Sequence, residues 1–226
     1  MRHEGARREI VAVARAMTER GLTRGTSGNV GARVSGGLLV TPSAVPYSEM
    51  APEDVVLLDP KGRVLEGRRK PSTEWRLHVE VLRARPDAGA VLHAHPPFGT
   101  TLACLRREIP PFHYMVAVAG GDTVRCAPYA LFGTPELAEG TVVALEGRLA
   151  CLLANHGVVT LGGSPTEALD LAVEVEALAE MYWRALQVGE PALLSPEEME
   201  AVRAAFLDYR TGRPAPSSDS TTPRSS

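Results

Sequence analysis

His93 and His95 stand on either side of one alanine in AVLHAHPPFG, at the end of an apolar run and just before two prolines. On a strand, residues two apart point to the same face, so both imidazoles would enter one small volume. A metal ion suits such a pair, and so does a bland pairing of neutral core histidines; the stretch alone does not choose. His156, in LLANHGV, also ends an apolar strand and precedes a glycine. Three neutral imidazoles that leave an open position form the pattern of a catalytic zinc site, whereas a structural site is closed by four protein ligands. His3 near the terminus and His113 in a tyrosine-bearing loop lack this setting. His78 falls on the apolar stripe of a helix with Trp75, Val79 and Leu82 and reads as a packing residue.

Turns rich in hydroxyl groups accompany the histidines. In RRKPSTEW, Ser72 and Thr73 fall where a helix begins. Their hydroxyls and the free N–H groups of the first turn could hold an anion such as phosphate, with Glu74 beside it. Ser, Thr and Glu are equally ordinary capping residues there. TRGTSGNVG offers Thr26, Ser27, Gly28 and Asn29 in one turn, and VTPSAVPY places Ser43 in another. None of these matches the P-loop or the dinucleotide fingerprint, so nucleotide binding is not implied.

The elements that must position these groups alternate along the chain. Ile10, Val13, Ala14 and Met17 predict an amphipathic helix over about residues 4–20, ended by Gly21. Four short extended pieces follow, NVGARV, GLLVT, VVLLD and RVLEG, separated by turn signals such as DPKG. A helix opens after Pro71, AGAVLHAH is the next strand, FGTTLACLRR a helix, TVRCAPYA extended, TPELAEGTVVALEG a helix, and LACLLANHGVVTLG a pair of strands. The last two helices begin at Ser164-Pro165 and Ser195-Pro196, each with Glu in capping-box position. The interleaving predicts an α/β fold, a mixed sheet with helices on both faces.

Composition bounds the function. At 226 residues, 44% hydrophobic and 23% charged, the chain fits one sizeable domain with a real core. A net charge of −3 with no basic block gives no footprint for nucleic acid or an anionic membrane, so a small solute is the expected partner. With no long apolar run and no signal-peptide pattern, a soluble, cytoplasmic protein is expected. Cys104, Cys126 and Cys151 are scattered and odd in number, which suggests buried hydrophobes rather than disulfides. The segment 211–226, rich in Ser, Thr and Pro, is expected to be a disordered tail after a domain spanning 1–210.

Taken in order, GTSGNV, VTPSAVPY, KPSTEW, LHAHP, HYMVAVAGGDTVRCAPYALFGT and NHG resemble the class II aldolase/adducin superfamily, from about residue 5 to residue 210. The resemblance implies a three-layer α/β/α domain with a central, largely antiparallel sheet, assembled as a homotetramer. It implies one Zn²⁺ held by His93, His95 and His156, with Glu74 as a fourth ligand at rest, and phosphate binding by Gly28, Asn29, Ser43, Ala44, Ser72 and Thr73. The implied reaction is retro-aldol cleavage of a ketose 1-phosphate, L-fuculose 1-phosphate or a similar sugar, to dihydroxyacetone phosphate and an aldehyde such as L-lactaldehyde. A divalent ion would stabilise the enediolate charge, so no lysine Schiff base is needed. Glu74 would move the proton at the nucleophilic carbon, Tyr114 would serve the aldehyde oxygen, and Tyr209 aligns with a tyrosine that reaches a neighbouring subunit's site. Ala44 stands where the family has glycine, and Thr73 where it has serine. A ribulose-5-phosphate 4-epimerase, a methylthioribulose phosphate dehydratase and a non-catalytic interaction module are the alternatives within the superfamily.

Overall fold

The computed structural model describes residues 1–211, with side chains through Leu207. Most of the expected tail and the side chain of Tyr209 lie outside the described residues. The first helix, α1 (Glu4–Glu19), buries Ile10, Val13, Ala14 and Met17 at the predicted spacing. Eight strands follow in one sheet: β1 (Asn29–Val34), β2 (Gly37–Val40), β3 (Val56–Leu58), β4 (Val64–Glu66), β5 (Ala90–Ala94), β6 (Arg125–Ala127), β7 (Ala150–Leu153) and β8 (Gly157–Gly162). Their spatial order is β4-β3-β2-β1-β5-β8-β7-β6. Every pairing is antiparallel except β6 with β7, so the sheet is largely antiparallel, as the resemblance implied.

Helices cover both faces: α2 (Trp75–Ala84), α3 (Pro97–Cys104), α4 (Pro135–Ala144), α5 (Pro165–Val188) and α6 (Pro196–Thr211). Strand parity sorts the core. Leu39, Leu57, Ala90, Leu92 and Ala94 pack with α1 and α5. Their neighbours Leu38, Val40, Val56, Leu58 and Val91 pack with α2 and α4 on the opposite face. His93 shares the parity of Val91, so it points to the α2 side, where the residues of the Ser72 turn begin their helix.

The loops after β2 and before α2 are stitched together by main-chain bonds, Ser43 N–H to Lys70 C=O at 2.9 Å and Ser72 N–H to Thr41 C=O at 3.0 Å. Ser195 and Glu198 form the predicted capping box at α6. At α5, Ser164 caps Glu167 as expected, but the Glu167 carboxylate accepts from the Gly163 N–H instead of Ser164. Of the cysteines expected to be buried, only Cys151 is; Cys104, at the last turn of α3, is exposed. Among the described residues, no helix is long and apolar enough to cross a membrane.

Candidate active site

The three histidines come together from two strand ends. His93 is the penultimate residue of β5, His95 follows it, and His156 lies in the tight turn from β7 to β8, directly antiparallel to β5. One ring nitrogen from each falls within 4.8 Å of the others. Two backbone devices permit this. Asn155 takes the left-handed conformation at φ 54°, which Asn tolerates, and its side chain is held by Arg106 Nε at 3.0 Å. Gly157 leaves room for the rings, since a Cβ there would sit 2.4 Å from Ala94 O and 2.7 Å from His95 Cδ2.

The electrostatics suit a cation. His93 donates Nδ1–H to Val158 C=O at 3.0 Å, which leaves Nε2 bare and aimed at the cluster. His95 Nε2 lies 2.9 Å from that nitrogen. Burial lowers the pKa of all three, that of His156 to about 4 with further help from His93, so each is a neutral donor at pH 7. Glu74, the residue capping α2, reaches between them: Oε2 is 3.4 Å from His93 Nε2 and Oε1 is 3.4 Å from His156 Nε2. Burial pushes the Glu74 pKa up, but His93, His156 and the Asn29 amide outweigh it and hold the group below the ordinary carboxylate range. Buried Oε1 accepts no hydrogen bond. An unpaired carboxylate oxygen beside three neutral imidazoles is a donor set that fits a divalent metal ion.

A cleft of about 420 Å³ opens onto this cluster. Its walls include every residue expected at the phosphate, Gly28, Asn29, Ser43, Ala44, Ser72 and Thr73, together with Glu74, His95 and His156. Ser72 Oγ also accepts from the Glu74 N–H at 3.2 Å, so the hydroxyl turn and the carboxylate are one local unit. Among the described residues no Lys or Arg lines the cleft, and backbone N–H groups and hydroxyls are its anion donors. Sequence reasoning missed Tyr129 and Phe132, exposed aromatic residues that form the far wall. Their signal was the segment HYMVAVAGGDTVRCAPYALFGT, which carries part of the family resemblance and of which TVRCAPYA was expected to be extended.

Tyr114 is not brought to this cleft. It opens a short 3₁₀ turn (Tyr114–Ala119), is half exposed, and packs against Phe206 of α6 with ring centroids 6.2 Å apart. His78 is buried as expected, but it is hydrogen-bonded rather than merely packed: Nε2 lies 2.6 Å from Asn29 Oδ1, and burial pushes its pKa down to about 3.

Residues 8–183 match the family described as Class II Aldolase and Adducin N-terminal domain. The chain is 50% identical over 211 residues to a 5-methylthioribulose-1-phosphate/5-deoxyribulose-1-phosphate aldolase of Rhodospirillum rubrum, covering 93% of this chain and 95% of that one. It is 43% identical over 203 residues to an L-fuculose phosphate aldolase of Escherichia coli K12, covering 89% and 94%. A solved structure of an L-fuculose 1-phosphate aldolase superposes with a TM-score of 0.87 at 40% identity, over 90% of this chain and 96% of the other.

Proposed function

Because the chain belongs to the class II aldolase and adducin family, we propose that it cleaves a ketose 1-phosphate by a metal-dependent retro-aldol reaction, releasing dihydroxyacetone phosphate and a short aldehyde. The observation that carries this reading is Glu74. Its carboxylate lies 3.4 Å from two clustered imidazoles, and its backbone N–H donates to the Ser72 hydroxyl of the phosphate turn.

His93, His95 and His156 would hold the ion, with Glu74 as a fourth ligand at rest; zinc fits three imidazoles and a carboxylate. When bound, it supplies Lewis-acid stabilisation for the negative charge that develops on the substrate's carbonyl and hydroxyl oxygens. The N–H groups and hydroxyls around Gly28, Asn29, Ser43, Ala44, Ser72 and Thr73 fix the phosphate, which sets the sugar's third carbon beside Glu74. Glu74 then carries the proton at that carbon, and a positioned base of this kind contributes roughly 10²–10⁴-fold. Tyr114 is assigned to the hydroxyl that becomes the aldehyde: its oxygen takes that proton as the carbon–carbon bond breaks, while Glu74 delivers one to the sugar's third carbon, and the phenol returns it in the reverse condensation. Since it stands outside the cleft of its own chain, that role requires a second copy to carry it there, in the homotetramer we propose; Tyr209 is assigned the same route. The setting we propose is the cytoplasm.

The family resemblance points to L-fuculose 1-phosphate as substrate, cleaved to dihydroxyacetone phosphate and L-lactaldehyde. The 50% identity with the Rhodospirillum enzyme favours a second reading, 5-methylthioribulose or 5-deoxyribulose 1-phosphate. All three sugars end in a methyl or methylthio group, for which Tyr129 and Phe132 offer an apolar wall. A panel of these ketose 1-phosphates, with dihydroxyacetone phosphate detected by a coupled reductase, tests the reading. Release of triose phosphate from at least one is expected. Interconversion of pentulose 5-phosphates without such release would establish an epimerase instead.

A further inference from the structure

His78 is a fully buried polar side chain that faces the site and has no part in the chemistry above. It lies on α2 one helical turn after Glu74. Its Nε2 is 2.6 Å from Asn29 Oδ1, and Asn29 Nδ2 donates to Glu74 Oε2 at 2.9 Å. The other ring nitrogen, Nδ1, has no hydrogen-bond partner and lies against β1 at Gly31, where a Cβ would come within 2.6 Å of it. Asn29 and Gly31 are two residues apart on one face of β1, so the strand offers the imidazole an acceptor at one position and an empty space at the next.

An amide has an accepting and a donating end of nearly equal shape, and only its partners decide which faces which way. Were Asn29 turned over, its oxygen would meet the Glu74 carboxylate and its nitrogen would meet His78. We propose that His78 is a positioning residue for Glu74: as the Nε2–H tautomer it donates to Asn29 Oδ1, which aims the amide N–H groups at the carboxylate and keeps the base between the histidine cluster and the phosphate turn. Glycine at 31 is what lets the ring take this position. The inference rests on the proposed role of Glu74 as the base, because its consequence is a loss of proton transfer.

Two readouts test it. In nitrogen-15 NMR of histidine-labelled, metal-free protein, His78 is expected to carry its proton on Nε2 and to have a bare Nδ1. A proton on Nδ1 would overturn the proposal, and this measurement needs no variant. Second, His78→Phe keeps a ring but removes the donor, and His78→Gln restores an N–H. The kcat for exchange of the C3 proton of dihydroxyacetone phosphate in D₂O is expected to fall about 10–100-fold in His78→Phe, as for other partners that orient ligands. KM and metal content should stay close to wild type, the thermal midpoint should fall modestly because buried Asn29 Oδ1 loses its donor, and His78→Gln should regain most of the loss in kcat. An unchanged kcat in His78→Phe, or equal losses in both variants with metal and fold retained, would contradict the proposal. A wild type that exchanges no proton would count against the reaction itself, and the tautomer would then decide the role of His78.

Discussion

Ala44 holds φ at 58° with its methyl group exposed, in a conformation that an L-residue other than Gly, Asn or Asp adopts at a cost of about 1–2 kcal/mol. The strain sits in the turn that carries Ser43, at the mouth of the proposed phosphate site. Ala44→Gly should relieve it, and after the greater chain entropy of an unfolded glycine is subtracted, a gain of roughly 0.5–1 kcal/mol is expected from urea midpoints. A loss of stability would show that the methyl group packs usefully. At this scale the sequence was informative where the chemistry depends on local spacing. His93 and His95 are two apart, His156 is followed by the glycine its neighbours need, and Glu74 adjoins a hydroxyl pair. It was silent where a partner is distant. Nothing near His78 shows that its imidazole would meet Asn29, 49 residues away, so its place on an apolar stripe read as packing.

At the scale of elements, the site is the meeting of a strand end, a strand turn and a helix start, with Asn29, Glu74, His78 and His93 buried behind the cleft. That arrangement has a pH signature. The folded-state pKa of His78 is pushed by burial from 6.5 to about 3, so the unfolded chain takes up that proton first. Stability is therefore unaffected above pH 6.5 and falls as pH drops toward about 3, by up to about 1.4 kcal/mol per unit from this residue. Denaturant unfolding of metal-free protein across that window should show the decline, and His78→Phe should make it shallower without abolishing it, because buried His93, His95 and His156 are also held below their ordinary range. A slope identical in the variant would assign the acid lability elsewhere. The elements themselves were legible because alternation and 3.6-residue periodicity are local. The face each strand residue meets was also legible, since parity fixes it. Cys104 was misread because the short α3 gives too little pattern to separate its last exposed turn from its buried face.

For the whole molecule, the position of Tyr114 sets the question. Its phenol is half exposed and outside the cleft, and no sequence pattern reveals which copy's pocket a side chain serves. If each site takes Glu74 from one chain and Tyr114 from another, Glu74→Gln and Tyr114→Phe subunits should complement each other. Mixed oligomers with equal shares would then recover roughly a quarter of wild-type cleavage, since that fraction of sites draws both intact groups. Activity no higher than the average of the two parent variants would place both groups in one chain.

In the proposed reaction Glu74 moves a proton at a carbon held between the histidine cluster and the phosphate turns, with a metal ion present. Exchange of the C3 proton of dihydroxyacetone phosphate, followed by NMR in D₂O, measures that step without any aldehyde partner. Wild-type protein should exchange it, chelator-treated protein should not, and about one equivalent of zinc per chain should restore the rate. In metal-loaded Glu74→Gln, the rate should be lower by roughly 10²–10⁴-fold. Full exchange by the stripped protein, or a wild-type rate in Glu74→Gln, would contradict the account.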